Sequence, residues 1–336
     1  MNDGNGRRCN MPRIRRISHI EVIMIQNFWI CINAVVPLMI YLIIGMLVKR
    51  VGLINDDEVH RFNRLVFIVL FPPMMFENLY GAKLSTALNP RLIVFALVFL
   101  LSYIALSIPV VHKLEKKPET RGAMIQAMYR SNFVLMGLPI AINICGAGNV
   151  SKTAILVTII VPTYNVLAVI ILEYYRGGRA SISKMLRKIV TNPIILGAVA
   201  AGIAISLNIT VPKSIDRVVY SLSECTTPMA MMLLGASFNI KSVKSSKRNL
   251  SISIIAKLIV LPAIGLPIAM LLGFRDVEFV SLIVMMAAPC SVSSYTMAES
   301  MGSDGELAGN AVIFTTGFSI LTIFGWLFLF KNMGMF

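Results

Sequence analysis

The chain is a succession of apolar stretches, each about 20 residues long, separated by short connections that carry most of its charge. As a helix, a stretch of that length crosses a hydrocarbon layer roughly 30 Å thick. Inside such a layer every backbone polar group needs a partner within the protein, so only helices or closed barrels are stable. Continuous apolar stretches favour helices over the alternating pattern of barrel strands. The sequence therefore predicts an all-α polytopic membrane protein.

Composition narrows the function classes. The 336 residues are 57% hydrophobic and 14% charged, with a mean hydropathy of +0.78, which is too apolar for an ordinary water-soluble domain. The net charge of +15 lies mostly in short connections, so we expect no nucleic-acid partner. The five cysteines form no CxxC pair, and no HExxH, GxSxG or P-loop is present. The sequence therefore indicates no cofactor, no metal site and no enzyme activity.

Hydropathy over a window of about 19 residues predicts ten spans. They cover roughly residues 28–49, 60–80, 91–112, 121–144, 150–174, 190–208, 217–237, 249–272, 278–300 and 305–330. The longest connection contains RGGRASISKMLRK and divides the spans into two groups of five. The predicted parts are an N-terminal tail (1–27), a first five-helix repeat (28–174), a basic cytoplasmic linker (175–189) and a second five-helix repeat (190–331).

Prolines occupy corresponding spans in the two groups. Pro72 and Pro73 fall in the second span and Pro228 in the seventh, while Pro139 falls in the fourth span and Pro289 in the ninth. Because five is odd, a second copy enters the membrane in the opposite direction, so the pattern predicts an inverted repeat. We expect spans 4 and 9 to be broken at their prolines.

Charge in the connections predicts the orientation. The connections on one face carry 17 lysines and arginines, and those on the other face carry seven. Since basic connections stay in the cytoplasm, the first face lies on the cytoplasmic side of a cell membrane and both termini lie outside. The N-terminal tail opposes this rule, since it adds five arginines to the outer face: Arg7, Arg8, Arg13, Arg15 and Arg16. We expect Met24 to be the natural start, which would remove them.

The fourth apolar run, Gly122–Ile144, contains RSNFVLMGLPIA, with an arginine, an asparagine and Gly-Leu-Pro where a span should avoid charge and helix breakers. A proline inside a helix lacks an N–H and displaces the carbonyl four residues back. After Pro139 and Pro289, each new half-helix would begin with unpaired N–H groups and a positive dipole end, which favours an anion. The sequence therefore predicts a small organic anion as the substrate.

Six segments together resemble the auxin efflux carrier family, the bacterial relatives of plant PIN auxin exporters. They are RSNFVLMGLPIAI, VPTYNVLAVI, TTPMAMMLLGASF, KLIVLPAIGL, MAAPCSVSSYTMAE and IFTTGFSILTI. The resemblance implies a fold shared with bile-acid sodium symporters, with spans 1, 2, 6 and 7 as a scaffold and spans 3–5 and 8–10 as a transport domain. It also implies that spans 4 and 9 cross at their prolines. The expected transport is an elevator-type movement of carboxylate substrates such as malate, malonate or auxin-like acids. Unlike the plant members, this chain has no long central hydrophilic loop.

Eleven residues are predicted to bind substrate: Arg130, Asn132, Gly137, Pro139, Asn165, Lys257, Pro289, Ser291, Ser293, Thr316 and Ser319. Arg130 and Lys257 either pair with a substrate carboxylate or extend their charged ends to the membrane interface. Asn132 and Asn165 either bind the substrate or form a hydrogen bond between two helices. For Thr316 and Ser319, the alternatives are lining the path and close helix packing. Glu77 and Glu224 are candidates for proton or ion coupling, with ordinary interfacial positions as the alternative.

These features predict a secondary active transporter of small organic anions, driven by protons, sodium or the membrane potential because no nucleotide-binding motif is present. One alternative is a sodium-coupled symporter of the bile-acid type. A second is a membrane sensor that binds the same ligand without transporting it. A homodimer stays open, since no motif specifies one.

Overall fold

The computed structural model describes residues 19–80, 89–146, 151–176 and 182–336, and within these ranges the chain is helical, without strands. The helices, in chain order, are α1 (His19–Arg50), α2 (Asp56–Leu65), α3 (Phe71–Tyr80), α4 (Pro90–Leu114), α5 (Pro118–Tyr129), α6 (Leu138–Cys145), α7 (Ser151–Tyr175), α8 (Ile182–Val190), α9 (Pro193–Ser206), α10 (Lys213–Ser237), α11 (Ile240–Ser245), α12 (Lys247–Ile255), α13 (Leu261–Leu271), α14 (Asp276–Ala287), α15 (Ser293–Ser300) and α16 (Gly305–Asn332). Three π-helical turns join neighbouring helices: Val66–Leu70, Phe133–Gly137 and Ala256–Val260.

The predicted tail and linker are only partly covered by the described ranges. Residues 1–18 of the tail and 177–181 of the linker lie outside them. From His19 the chain is already helical, so α1 begins inside the predicted tail and includes Met24. The linker contributes α8, which carries Arg187 and Lys188 in its last turn.

In the part of the chain that the structure describes, four helical stretches are long and apolar enough to cross a membrane, judged by length and composition. They are Pro90–Leu114, Lys152–Tyr175, Lys247–Leu271 and Gly305–Asn332, with 24 to 28 residues each. At 1.5 Å per residue, each is about 36 Å long or more, which exceeds the hydrocarbon thickness of a bilayer. The chain is therefore a helical membrane protein.

Each of the three π-helical turns ends two residues before a proline, namely Pro72, Pro139 or Pro262. A proline cannot donate to the carbonyl four residues back, and its ring pushes that carbonyl aside. A wider turn makes room for the ring and lets the helix continue. The carbonyl left free by Pro262 belongs to Leu258, and it accepts a hydrogen bond of 3.0 Å from the Trp326 indole.

The prediction that prolines interrupt the spans is wrong at three of the four sites. Pro72 and Pro73 lie inside α3, Pro228 lies inside the unbroken helix α10, and Pro139 lies inside α6. The π-helical turns explain the continuity before Pro72 and Pro139. At the fourth site the prediction holds, because Pro289 lies in a non-helical segment between α14 and α15.

Helix α10 packs against both α1 and α3, and α3 packs against α9. The crossing of α1 and α10 is unusually close because a glycine on each helix faces the backbone of the other. A Cβ atom on Gly45 would lie 1.8 Å from the carbonyl oxygen of Met232, and one on Gly235 would lie 2.0 Å from that of Leu42. Small residues permit such contact between membrane helices.

A second group of helices packs around α14. Its members are α4, α5, α6, α7, α13 and α16, each in contact with α14 or with a direct neighbour of it. From Phe279 to Ala287, every residue of α14 is buried. Helix α14 therefore forms the core of this group, and its C-terminal end lies next to the end of α5.

Candidate functional site

Two breaks in helical structure meet in the core. Helix α5 ends before the extended segment 130–132, and α14 ends before the segment 288–292. The backbone N–H of Asn132 donates a hydrogen bond of 2.8 Å to the carbonyl oxygen of Pro289. The two non-helical segments 130–132 and 288–292, called the crossover below, are therefore hydrogen-bonded to each other, and the first break precedes Pro139 rather than coinciding with it.

Side chains supply further partners for the broken backbone. The Ser131 hydroxyl donates to the carbonyl oxygen of Ala288 at 3.2 Å. The backbone N–H of Cys290 donates to the Thr315 hydroxyl of α16 at 3.0 Å. Buried backbone groups outside regular helices need such partners, so these contacts hold the two segments in a defined geometry.

Arg130 lies at the end of α5 and is 1% exposed. Its Nη2 donates to Asn165 Oδ1 at 2.6 Å and to the Ser293 hydroxyl. Its Nη1 contacts Gln126 Oε1 at 3.4 Å and the Met297 sulfur at 3.0 Å. Within the described ranges, no carboxylate forms a salt bridge with it. The guanidinium is thus held in the core by neutral groups, and its charge is left for another partner.

Gln126 positions Arg130 and was missed by the sequence analysis. It is fully buried, accepts from Arg130 through Oε1, and donates through Nε2 to the carbonyl oxygen of Ser294 at 3.0 Å. The bond links α5 to α15, across 168 positions of sequence. A glutamine one turn before the arginine was the available signal, but its partner could not be inferred from spacing.

Two buried hydrogen-bond donors in the broken segment 130–132 have no acceptor among the described residues. They are Nε of Arg130 and Nδ2 of Asn132, and Asn132 as a whole is 6% exposed. Buried polar groups in folded proteins are almost always paired, so an unpaired donor at a cavity indicates where an acceptor binds. Both donors therefore favour a ligand rich in oxygen acceptors.

A cavity of about 570 Å³ lies between these segments and helices α1, α3 and α10. Seven of the predicted residues line it: Arg130, Asn132, Pro139, Asn165, Glu224, Ser291 and Ser293. Polar lining residues that were not among the predictions include Asn78, Ser131, Tyr164, Ser223 and Thr227. Apolar side chains such as Phe71 and Val161 form the rest of the wall. The cavity combines one buried cation with many neutral hydrogen-bonding groups and one exposed carboxylate, Glu224.

Two predicted residues, Gly137 and Pro289, lie beside the cavity rather than on its wall. Gly137 is buried, and a Cβ atom there would lie 2.4 Å from the Phe133 ring, so the glycine permits close packing in the π-helical turn. Pro289 contributes the carbonyl oxygen that accepts from Asn132. Both shape the crossover without presenting a polar side chain to a ligand.

Three further predicted residues are also absent from the cavity wall as described. Thr316 donates to the carbonyl oxygen of Val312 at 2.6 Å, and Ser319 donates to that of Thr316 at 2.7 Å, so both hydroxyls bond within α16. Glu77 is half-buried near the end of α3, and its Oε2 has no partner among the described residues.

Lys257 lies in the π-helical turn Ala256–Val260 and is fully buried. Its Nζ donates to the carbonyl oxygen of Met286 at 2.9 Å and to the Ser131 hydroxyl at 3.2 Å. The side chain therefore lies behind the crossover, separated from the cavity by Ser131, instead of extending to the membrane interface.

Polar contacts join α2 to α15 on the side of the crossover away from the cavity. His60 Nδ1 lies 2.9 Å from Glu299 Oε1. Asn63 Nδ2 donates to the carbonyl oxygen of Thr296 at 3.3 Å. These bonds connect α2 to α15, the helix that follows the segment 288–292.

Comparison with known proteins gives consistent matches. A model of the family described as "Membrane transport protein" matches residues 30–182 and 177–327. The chain is 23% identical over 312 residues to an "Uncharacterized transporter" of Methanocaldococcus jannaschii, covering 88% of this chain and 98% of that protein. A second "Uncharacterized transporter", from Methanothermobacter thermautotrophicus, is 21% identical over 299 residues, covering 88% and 96%. A Rhizobium meliloti protein named "Putative malonate transporter" is 24% identical over 147 residues, covering 44% and 46%.

Proposed function

Because the chain belongs to the membrane transport protein family, which includes the auxin efflux carriers, we propose that it is a secondary active transporter of small organic anions. The observation that carries this proposal is the buried Arg130, which faces a cavity of about 570 Å³ with no carboxylate partner among the described residues. We further propose dicarboxylates of the size of malonate and malate as substrates. The malonate named for the Rhizobium meliloti relative supports that choice.

In the proposed complex, one substrate carboxylate accepts hydrogen bonds from Arg130 and from Nδ2 of Asn132. Both groups line the cavity and have donors free for it. The hydroxyls of Ser291 and Ser293, which lie 2.8 Å apart at the start of α15, add a donor next to Arg130. The N-terminal end of α15 also presents its positive dipole there. Charged and neutral donors together would replace the water lost by the anion.

The proposed architecture has ten spans in two inverted repeats, residues 28–174 and 190–331. The scaffold would consist of α1, α2–α3, α9 and α10, and the remaining spans would form the transport domain. The continuous row of contacts from α1 through α10 and α3 to α9 supports this division, as does a cavity between these helices and the crossover. Sliding of the transport domain against the scaffold would carry the site across the membrane by elevator-type alternating access.

For orientation, we propose a cell membrane with the more basic connections in the cytoplasm and both termini outside. In that orientation the cavity opens outward, because Asn78 near the end of α3 and Ser223 in the first half of α10 line it. The contact of His60 with Glu299 would then close the cytoplasmic side. The described conformation corresponds to an outward-facing state.

Counterflow in proteoliposomes tests the function. Vesicles loaded with unlabelled malonate should accumulate labelled malonate or malate, and Arg130→Gln should abolish the exchange because the anion loses its fixed countercharge. Arg217→Gln is the matched control, since Arg217 is an exposed cation of α10. If no acid, including indole-acetate, exchanges in folded protein, the proposal fails.

The same preparation separates the two alternatives. Replacing sodium by choline should leave exchange unchanged; a strict sodium requirement would favour the symporter of the bile-acid type. Malonate binding in detergent without any flux in sealed vesicles would favour the membrane sensor.

A further inference from the structure

The surroundings of Lys257 suit a neutral amine better than an ammonium ion. The Nζ atom has two acceptors among the described residues, Met286 O and Ser131 Oγ. A neutral amine has two N–H groups, whereas an ammonium ion has three. The residue is fully buried and has no salt bridge within the described ranges. An ammonium ion there would lose its hydration without a compensating negative charge.

The ionisable groups nearest to Lys257 supply no negative charge. The Arg130 guanidinium belongs to the same crossover and is itself positive. The Cys290 thiol is close enough to interact electrostatically with both cations. The Tyr103 hydroxyl donates to the neighbouring carbonyl oxygen of Ala256 at 2.9 Å. On the helices packed against this turn, the remaining charged residues of α5, α12, α14 and α16 lie in the terminal turns.

One hydroxyl connects this amine to the cavity. Ser131 lines the cavity, donates to the carbonyl oxygen of Ala288, and accepts from Lys257 at 3.2 Å. A carboxylate bound between Arg130 and Asn132 would therefore lie on the other side of a single hydroxyl group from Nζ. Its negative charge would act on Nζ through a region of low dielectric, where charges interact strongly.

We propose that Lys257 is neutral in the empty carrier and takes up one proton when a carboxylate binds, so that anion and proton cross the membrane together. The proton comes from solution through the cavity and bonds to the lone pair of Nζ; release of the anion on the other side frees the proton and restores the amine. With the cavity empty, burial disfavours a positive charge on Nζ, and the bound anion reverses that balance. This inference rests on the proposed function and extends it by naming the coupled ion and the residue that carries it.

Calorimetry tests the coupling on purified protein in detergent. Malonate is titrated at about pH 7.5 and about pH 9, where its carboxyl groups are ionised, in pairs of buffers with different heats of ionisation. The dependence of the observed heat on the buffer gives the number of protons taken up. We expect roughly 0.5 to 1 proton per malonate for the wild type, and a malonate Kd that rises by up to about tenfold per pH unit.

Substitutions identify the group that takes up the proton. Lys257→Arg should bind malonate with no proton uptake and no pH dependence, because a guanidinium stays charged. Lys257→Met should also show no proton uptake. It tests the same role of Lys257 if an arginine side chain does not fit at this position. Lys152→Arg is the matched control and should keep wild-type uptake, since Lys152 pairs with Glu278 outside the site.

The outcomes separate the two proposals. Malonate binding without proton uptake in the wild type would overturn the coupling proposal and leave the anion carrier standing. Uptake that persists in Lys257→Arg but disappears in Glu224→Gln or Glu77→Gln would assign the proton to a carboxyl group and overturn the role of Lys257. Absence of malonate and malate binding in folded protein would instead count against the proposed function itself.

Discussion

Asn132 offers a sharp test of the binding site because its side chain and its backbone have separate roles. The backbone N–H holds the crossover through Pro289, and this bond does not need the side chain. The side-chain Nδ2 is buried without a partner among the described residues. Asn132→Ala should therefore remove a ligand contact while leaving the crossover intact.

Asn132→Ala should weaken malonate binding without lowering the stability of the empty carrier. A hydrogen bond to a charged group contributes about 1.5–3 kcal/mol, so the Kd for malonate should rise roughly 10- to 150-fold. An unpaired buried donor costs about 1–3 kcal/mol in the ligand-free protein. Removing it should leave the melting temperature of the empty carrier unchanged or higher, even though malonate binds more weakly.

Thermal unfolding in detergent, with and without malonate, measures both effects in one assay. Asn165→Ala is the comparison, because Asn165 Oδ1 accepts from Arg130 at 2.6 Å. That variant should lose stability as well as affinity, since Arg130 loses a buried acceptor. A malonate affinity of Asn132→Ala equal to wild type, or a lower melting temperature without ligand, would refute the reasoning.

Two further predictions concern the packing that supports the site. Gly235→Ala should destabilise the protein by about 1–3 kcal/mol, because a Cβ atom would lie 2.0 Å from Leu42 O; Gly202→Ala, with nothing within 4 Å, should be neutral or slightly stabilising in the same thermal assay. Thr315→Val should cost about 1–3 kcal/mol and reduce exchange, because the buried N–H of Cys290 loses its acceptor; unchanged unfolding and exchange in Thr315→Val would contradict the assigned role.

The helical class and the presence of long apolar helices could be predicted from the sequence, because long apolar stretches leave few alternatives. The location of the break in span 4 could not. Proline was expected to end the helix at Pro139, but the π-helical turn Phe133–Gly137 lets the helix continue through it. At Pro289 the expected break occurs, whereas Pro228 lies inside the unbroken helix α10 without a π-helical turn before it. The outcome depends on the backbone geometry before each proline, which hydropathy does not report.

Only part of the candidate site could be predicted from the sequence, because some of its contacts join segments that are far apart in the chain. Arg130 and Asn132 stand out in an apolar stretch, so composition alone identifies them. The surroundings of Lys257 depend on Met286 and Ser131, and the role of Gln126 depends on contacts with the second half of the chain. Pairings between distant segments cannot be inferred from one sequence without an alignment.

The bonds between the two breaks also have a consequence for synthesis of the protein. Ser131 and Ala288 are 157 positions apart, so the first broken segment is complete long before its partner exists. Until then, the N–H of Asn132 and the hydroxyl of Ser131 lack the acceptors that they have in the finished fold. In the proposed ten-span arrangement, the first half would therefore enter the bilayer with an unsatisfied segment. Insertion of the ninth span would supply the missing hydrogen-bond acceptors. A chain cut before that span should therefore be degraded rather than accumulate.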